Sequence, residues 1–176
     1  MLYLVDTVDE LLTQSLHEYG GKRLKSVGKG TVSVGSEDEK KKAEEELKEK
    51  EEAMKPLLEL LQKKLDENVK QVRLTSRLTS SPVCLVGAEH DYSPQLERLL
   101  QKGKGGGPKQ RRIMELNPSH QILAKLQERF DKDKDDPMIA EYAELLFGYG
   151  LLAEGAELPD VVRFNRAVAD LMTRAV

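Results

Sequence analysis

Three histidines, one cysteine and one basic glycine loop are the groups in this sequence whose types invite chemistry. His17, His90 and His120 are scattered, and none stands at a metal-ligand spacing. His90 next to Asp91 could be an acid–base pair, but adjacency in sequence does not bring two side chains to one site. Cys84 sits in the apolar run PVCLV and reads as a small buried hydrophobe rather than a nucleophile. A lone cysteine also excludes an intramolecular disulfide and a cysteine-based zinc site, so a reducing, cytoplasmic setting is expected. No G-x-x-x-x-G-K-[ST] occurs, no G-x-G-x-x-G follows a strand, and Gly28-Lys29-Gly30 lacks the upstream glycine of a phosphate loop. The stretch KGKGGGPKQRR carries Lys102, Lys104, Lys109, Arg111 and Arg112 on a flexible backbone that could touch phosphate. No aromatic residue interleaves for base stacking, so it reads as a mobile solvated loop. These residues propose no catalytic group and no substrate.

Composition narrows the classes further. Of 176 residues 34% are charged and 39% hydrophobic, which hints at either a disordered chain or a helical one with a very charged segment. The net charge is −3, and disorder driven by self-repulsion wants a larger imbalance. The same balance argues against a general nucleic-acid binder. The charge is local: residues 37–55 hold 9 acids and 6 bases, and 31 less 9 and 28 less 6 leave 22 of each elsewhere. No apolar run approaches the roughly 20 residues of a membrane span, so no membrane partner is expected. Acids follow the first apolar residues too closely for a secretory signal. The chain begins inside what reads as a strand, so it is expected to continue a longer polypeptide.

The elements that must position these residues follow from periodicity. LYLV at 2–5 reads as a strand, Thr7–Glu18 as a helix capped by Asp6 or Thr7 and ended by Tyr19-Gly20-Gly21, and Arg23–Val27 as a second strand. Residues 37–66 read as a long, largely solvated helix with the stripe Ala43, Leu47, Met54, Leu58, Leu61 and Leu65, kinked or reset at Pro56. Val69–Thr75 alternates imperfectly, and with Pro82–Gly87 and Arg112–Leu116 it reads as strand. Asp91–Leu100 is a short amphipathic helix. Its stripe Tyr92, Leu96, Leu99 and Leu100 could dock on its own domain or face another protein. A helix starting at Asn117-Pro118 runs to 132, with His120 in its first turn. Met138–Ala153 has only Glu141 and Glu144 as charges and is apolar all round, so it should be buried on more than one side. Glu157–Arg174 repeats apolar residues at helical spacing. Periodicity leaves open whether this last pair of helices fills the domain's own core or an interface between copies.

The segments VKQVRLTSRLTSSPVCLV, DYSPQLERLL and MELNPSHQIL, followed by two apolar helices, together resemble the ninety-kilodalton heat-shock chaperones of the bacterial type. The resemblance covers essentially the whole chain, and RLTSRLTSSP and ELNPSH are its most specific pieces. It implies an α+β fold, a small mixed sheet packed with helices, closed by a helical pair that joins an intersubunit four-helix bundle. Residues 1–35 would join from a preceding middle domain, and 36–176 would form the C-terminal dimerisation domain, with 138–174 as dimer helices. The implied interface residues are Leu145, Leu146, Tyr149, Leu152, Val161, Phe164, Val168, Leu171 and Met172. Tyr92, Leu96, Leu99 and Leu100 fall at the apolar positions of the family's client-contacting helix, although Tyr92 and Leu100 stand where other members often carry Met or Phe. ATP and Mg would belong to an N-terminal domain of the parent, with no cofactor and no catalytic residue in this stretch. The implied partners are a second copy, unfolded clients and, through the parent, other chaperones. No acidic tail ending in EEVD is present, which fits a bacterial member. A stand-alone helical adaptor without a chaperone role is the alternative.

Overall fold

The computed structural model describes residues 6, 8–9, 12, 15–24, 37–88, 91 and 110–175, with side chains in the first long helix from Glu44 onward. The expected strand at 2–5, the helix at 92–100 and the basic loop at 102–109 lie outside the described residues. The chain divides into two compact units, Met1–Val32 with Val86–Gln110, and Ser33–Leu85 with Arg111–Val176.

In the first unit Val8, Asp9, Leu12 and Ser15 are helical, and Asp9 reaches back to accept from the Asp6 N–H at 3.1 Å. The expected helix to Glu18 stops earlier. Glu18–Tyr19 (β1) and Lys22–Arg23 (β2) instead form a short antiparallel hairpin, with Tyr19 opposite Lys22. The reason is Gly20-Gly21: both residues take positive φ, 58° and 73°, as a two-residue hairpin turn with native twist demands. That pair reverses the chain instead of capping a helix.

The second unit is an α+β layer built on one core. Helix α1 (Glu37–Lys64) packs on strand β3 (Val69–Leu74), and β3 pairs in parallel with β5 (Arg112–Leu116). Strand β4 (Val83–Val86) lies on the far side of β5, giving the order β3-β5-β4. Helices α2 (Gln121–Lys132), α3 (Pro137–Ala153) and α4 (Val161–Ala175) follow.

The charged helix is not reset at Pro56, and its apolar stripe is buried more deeply than its composition suggests. It runs unbroken through Pro56. The carbonyl that Pro56 cannot satisfy belongs to Glu52, and both residues are exposed, so water can take the lost hydrogen bond. Most of its described side chains are exposed, as a largely solvated helix requires, but one end is not. Leu57, Leu58, Leu61 and Leu65 are all buried in the core, so the second half is a core helix and the charged half extends from it.

The imperfect alternation of Val69, Val72 and Leu74 has a physical cause. The register with β5 slips between Val69 and Gln71, so Lys70 and Gln71 together oppose one step of the partner strand. That bulge restores the inward face for Val72 and Leu74. On its outer edge the Val72 N–H donates to Gln62 Oε1 of α1 at 3.3 Å, which closes one edge donor.

After β5 the chain turns on Asn117, which is buried. Its Nδ2 donates to the Ser81 carbonyl at 3.1 Å, its backbone N–H to the Pro82 carbonyl at 2.9 Å, and its Oδ1 accepts from the Ser119 N–H. Pro118 therefore sits in a turn rather than at the first helical position. His120 is the N-cap of α2, its Nδ1 accepting from the Ile122 N–H at 3.2 Å. Asp136 caps α3 in the same way, with Pro137 in the first turn.

Candidate assembly surface

Helix α3 carries two apolar stripes. Ile139, Ala143, Leu146, Phe147 and Leu151 recur at three- and four-residue steps and are buried in the core. Leu145, Tyr149 and Leu152 recur at the same steps on another side of the helix. Leu145 is half-buried, while Tyr149 and Leu152 keep 46% and 53% of their surface exposed. Leu146, one of the residues implied as interface, thus belongs to the stripe that faces the chain's own core.

Helix α3 ends in a Schellman motif. The Gly155 N–H donates to the Leu152 carbonyl and the Ala156 N–H to the Leu151 carbonyl, with Gly155 at φ +69°. Glu154 at the cap also meets Arg112 of β5 at 3.3 Å, which ties the helix end to the central strand. The chain then returns through Leu158, packed on the core, to Asp160, whose Oδ1 accepts from the Arg163 N–H at 2.9 Å and opens α4.

Helix α4 folds back along α3, and not one of its residues is fully buried. Phe164, Ala167, Val168 and Leu171 are half-covered. Val161, Val162 and Met172 are exposed, the last at 64%. Val162, the most exposed of the three, belongs to the apolar repeat of this segment but is not among the residues that the resemblance implies as interface. Ion pairs Arg163–Glu144 and Arg174–Glu141 flank the helix contact. A sharply amphipathic helix whose apolar side finds no complete cover among the described residues is the physical content of this surface.

The other chemical candidates fall apart in space or find structural work. His17 is exposed in the stem of the hairpin, where its carbonyl accepts from the Leu24 N–H, and His120 is spent as a cap. His90 lies outside the described residues, and the Asp91 carboxylate accepts from the Ala88 N–H at 2.8 Å, closing a turn. The client-contact residues Tyr92, Leu96, Leu99 and Leu100 also lie outside them. Among the described residues no group of three His, Cys, Asp or Glu could hold a metal ion, and no helix is long and apolar enough to cross a membrane.

Cys84 differs from its sequence reading. It is only half-buried, and its Sγ lies 3.6 Å from Arg77 and 3.7 Å from Glu115. Glu115, 2% exposed, takes Arg73 on one carboxylate oxygen at 2.6 Å and Arg77 on the other at 2.7 Å. Burial pushes the Cys84 thiol above its ordinary value, outweighing the neighbouring Arg77, which pulls it down. The sequence reading missed this cluster. Its signal was present as a glutamate inside the apolar strand RIMEL and the paired arginines of RLTSR.

A sequence model of the Hsp90 protein family matches residues 1–176, so the chain belongs to the Hsp90 family of chaperones. Among its relatives, the protein named chaperone protein HtpG from Geobacter sulfurreducens is 44% identical over 98% of this chain, and that from Nocardia farcinica is 43% identical over all of it. The HtpG of Salinispora arenicola is 45% identical over the full chain. These matches cover 26%, 28% and 28% of the relatives, so the chain spans about a quarter of their length.

Proposed function

We propose that this chain is the C-terminal dimerisation module of an ATP-driven, cytoplasmic bacterial chaperone, and that it pairs with a second copy through α3 and α4. The observation that carries the reading is the uncovered apolar surface: Tyr149 and Leu152 on α3 beside Val161, Val162 and Met172 on α4. Burying what remains exposed of these five side chains in both copies is worth roughly 10 kcal/mol gross, at about 2 kcal/mol per fully buried side chain. Association costs about 4–15 kcal/mol. One copy's surface supplies about half of that gain, near the lower end of the cost, whereas two copies meeting like on like contribute twice. The pair would keep two chaperone arms at high effective concentration, so that nucleotide bound elsewhere in the parent can close them.

The stretch 91–100 supplies client contact through Tyr92, Leu96, Leu99 and Leu100. The chain alone holds no ATP or Mg and performs no catalysis; other chaperones meet it through the parent. The family membership and the apolar pattern of DYSPQLERLL support this assignment.

The test of pairing is Tyr149→Glu with Leu152→Glu, followed by sedimentation velocity and circular dichroism. Both side chains are exposed, so folding should survive while the dimer dissociates. A variant that keeps the mass of the unmodified chain's dimer would refute the surface. For client contact, Leu96→Ser with Leu99→Ser in the full-length parent should leave the dimer intact and weaken suppression of aggregation. Unchanged suppression would count against that role.

A further inference from the structure

Helix α3 contains two glycines in FGYGLL, and a helix-interior glycine costs about 1 kcal/mol relative to alanine. Packing explains both. A Cβ on Gly150 would lie 2.8 Å from Leu85 of β4, inside the core. A Cβ on Gly148 would lie 2.5 Å from two ring carbons of Phe164 and 3.3 Å from Leu158. The Phe164 ring therefore rests in a notch that only glycine leaves open, and that notch joins α3 to α4 rather than to the core.

From this we infer that Gly148 is a positioning residue: the α3–α4 hairpin is assembled within a single chain, and the second copy docks onto a surface already formed. The inference rests on the dimer reading for its consequence but not for its geometry. The opposite order is physically open, because α4 is a 15-residue helix with no buried residue and helices of that length are marginal by themselves. It could form only on meeting a partner. Three intrachain features favour the first order. Asp160 caps the helix, Leu158 anchors its lead-in to the core, and the Phe164 ring fills the Gly148 notch. The ion pairs Arg163–Glu144 and Arg174–Glu141 are substantially exposed and serve for register rather than strength. A surface formed in advance saves the ordering cost at the moment of association.

The experiment is amide hydrogen exchange on the Tyr149→Glu, Leu152→Glu chain, whose changes leave the notch untouched. The amides of 161–175 should stay protected about tenfold or more over unprotected rates. Adding Gly148→Ala should strip that protection while α2 stays protected, and Phe164→Leu on top should restore part of it by making room for the methyl. Exchange of α4 at unprotected rates before Gly148 is changed would overturn the inference. So would indifference to Gly148→Ala, or loss of α2 protection along with α4, which would make Gly148 a residue of the whole fold. If the unmodified chain is already monomeric, the dimer reading fails, and the exchange result still decides whether the hairpin forms alone.

Discussion

Arg73 and Glu115 stand opposite each other in register on two parallel strands, with Nη2 of the arginine 2.6 Å from Oε1 of the glutamate. Arg77, from the segment after β3, closes on the other oxygen at 2.7 Å. One carboxylate in the central strand thus accepts from two guanidinium groups, one on each oxygen, and holds the start of the β3–β4 connection against the sheet. Removing one member of such a buried set leaves charge without compensation. Glu115→Gln keeps the shape and deletes the charge. It should lower unfolding free energy by about 3 kcal/mol in urea titration. A change under about 0.5 kcal/mol, the scale of an ordinary surface site, would show that the cluster does not hold the sheet.

Gly155 offers a sharper backbone test. Its φ of +69° is required by the bond from Ala156 to Leu151 that ends α3. A Cβ there meets nothing within 4 Å, so the cost of substitution is conformational and not steric crowding. Gly155→Ala should lose about 1 kcal/mol, and Gly155→Asn less, because asparagine tolerates the left-handed region better. Equal losses for both in thermal unfolding would contradict that explanation.

Asp136 gives a pH dependence with a definite sign. The Met138 N–H that it caps, and then Arg129 beside it, hold its carboxyl below the ordinary aspartate value. A depressed folded pKa contributes stability that is present above the unfolded value and is lost as pH falls through the folded one. Asp136→Asn keeps a competent cap and removes the titration. The stability difference between the unmodified chain and Asp136→Asn should therefore shrink on acidification below the ordinary aspartate value. A difference that grows in acid would reverse the sign and reject the assignment.

The Cys84 thiol is held above its ordinary value and half-covered. Only thiolate attacks a disulfide reagent, so Cys84 in the folded chain should react about tenfold or more slowly than in urea near neutral pH. Its rate should still be climbing with pH where a free thiol has levelled off. A folded-state rate matching the unfolded one would mean that neither the cover nor the shift is present in solution.

Much of the fold was legible because it rests on local chemistry. VCLV, RIMEL and the apolar run MIAEYAELLFGYGLLA are uniform enough that periodicity alone places them. One error and one missing detail share another origin. Gly20-Gly21 can end a helix or turn a hairpin, and only the pairing of Tyr19 with Lys22 decides. The long helix is largely solvated, as its charge indicates, and its stripe is visible in the spacing, but the depth to which its second half is buried depends on β3, a partner that spacing does not reveal. The ion cluster was missed for the same reason: Arg73, Arg77 and Glu115 meet across 38 to 42 residues, and no local pattern encodes that meeting. At the candidate surface the sequence placed Tyr149, Leu152, Val161 and Met172 in one apolar set. It could not separate them from Leu146, which differs only in the side of α3 on which it falls.

The most direct measurement is sedimentation equilibrium of the unmodified chain across a concentration series reaching tens of micromolar. The pairing of α3 and α4 with a second copy requires a mass of twice 19.8 kDa at the upper end, falling toward one copy on dilution. A single copy throughout that range would contradict it.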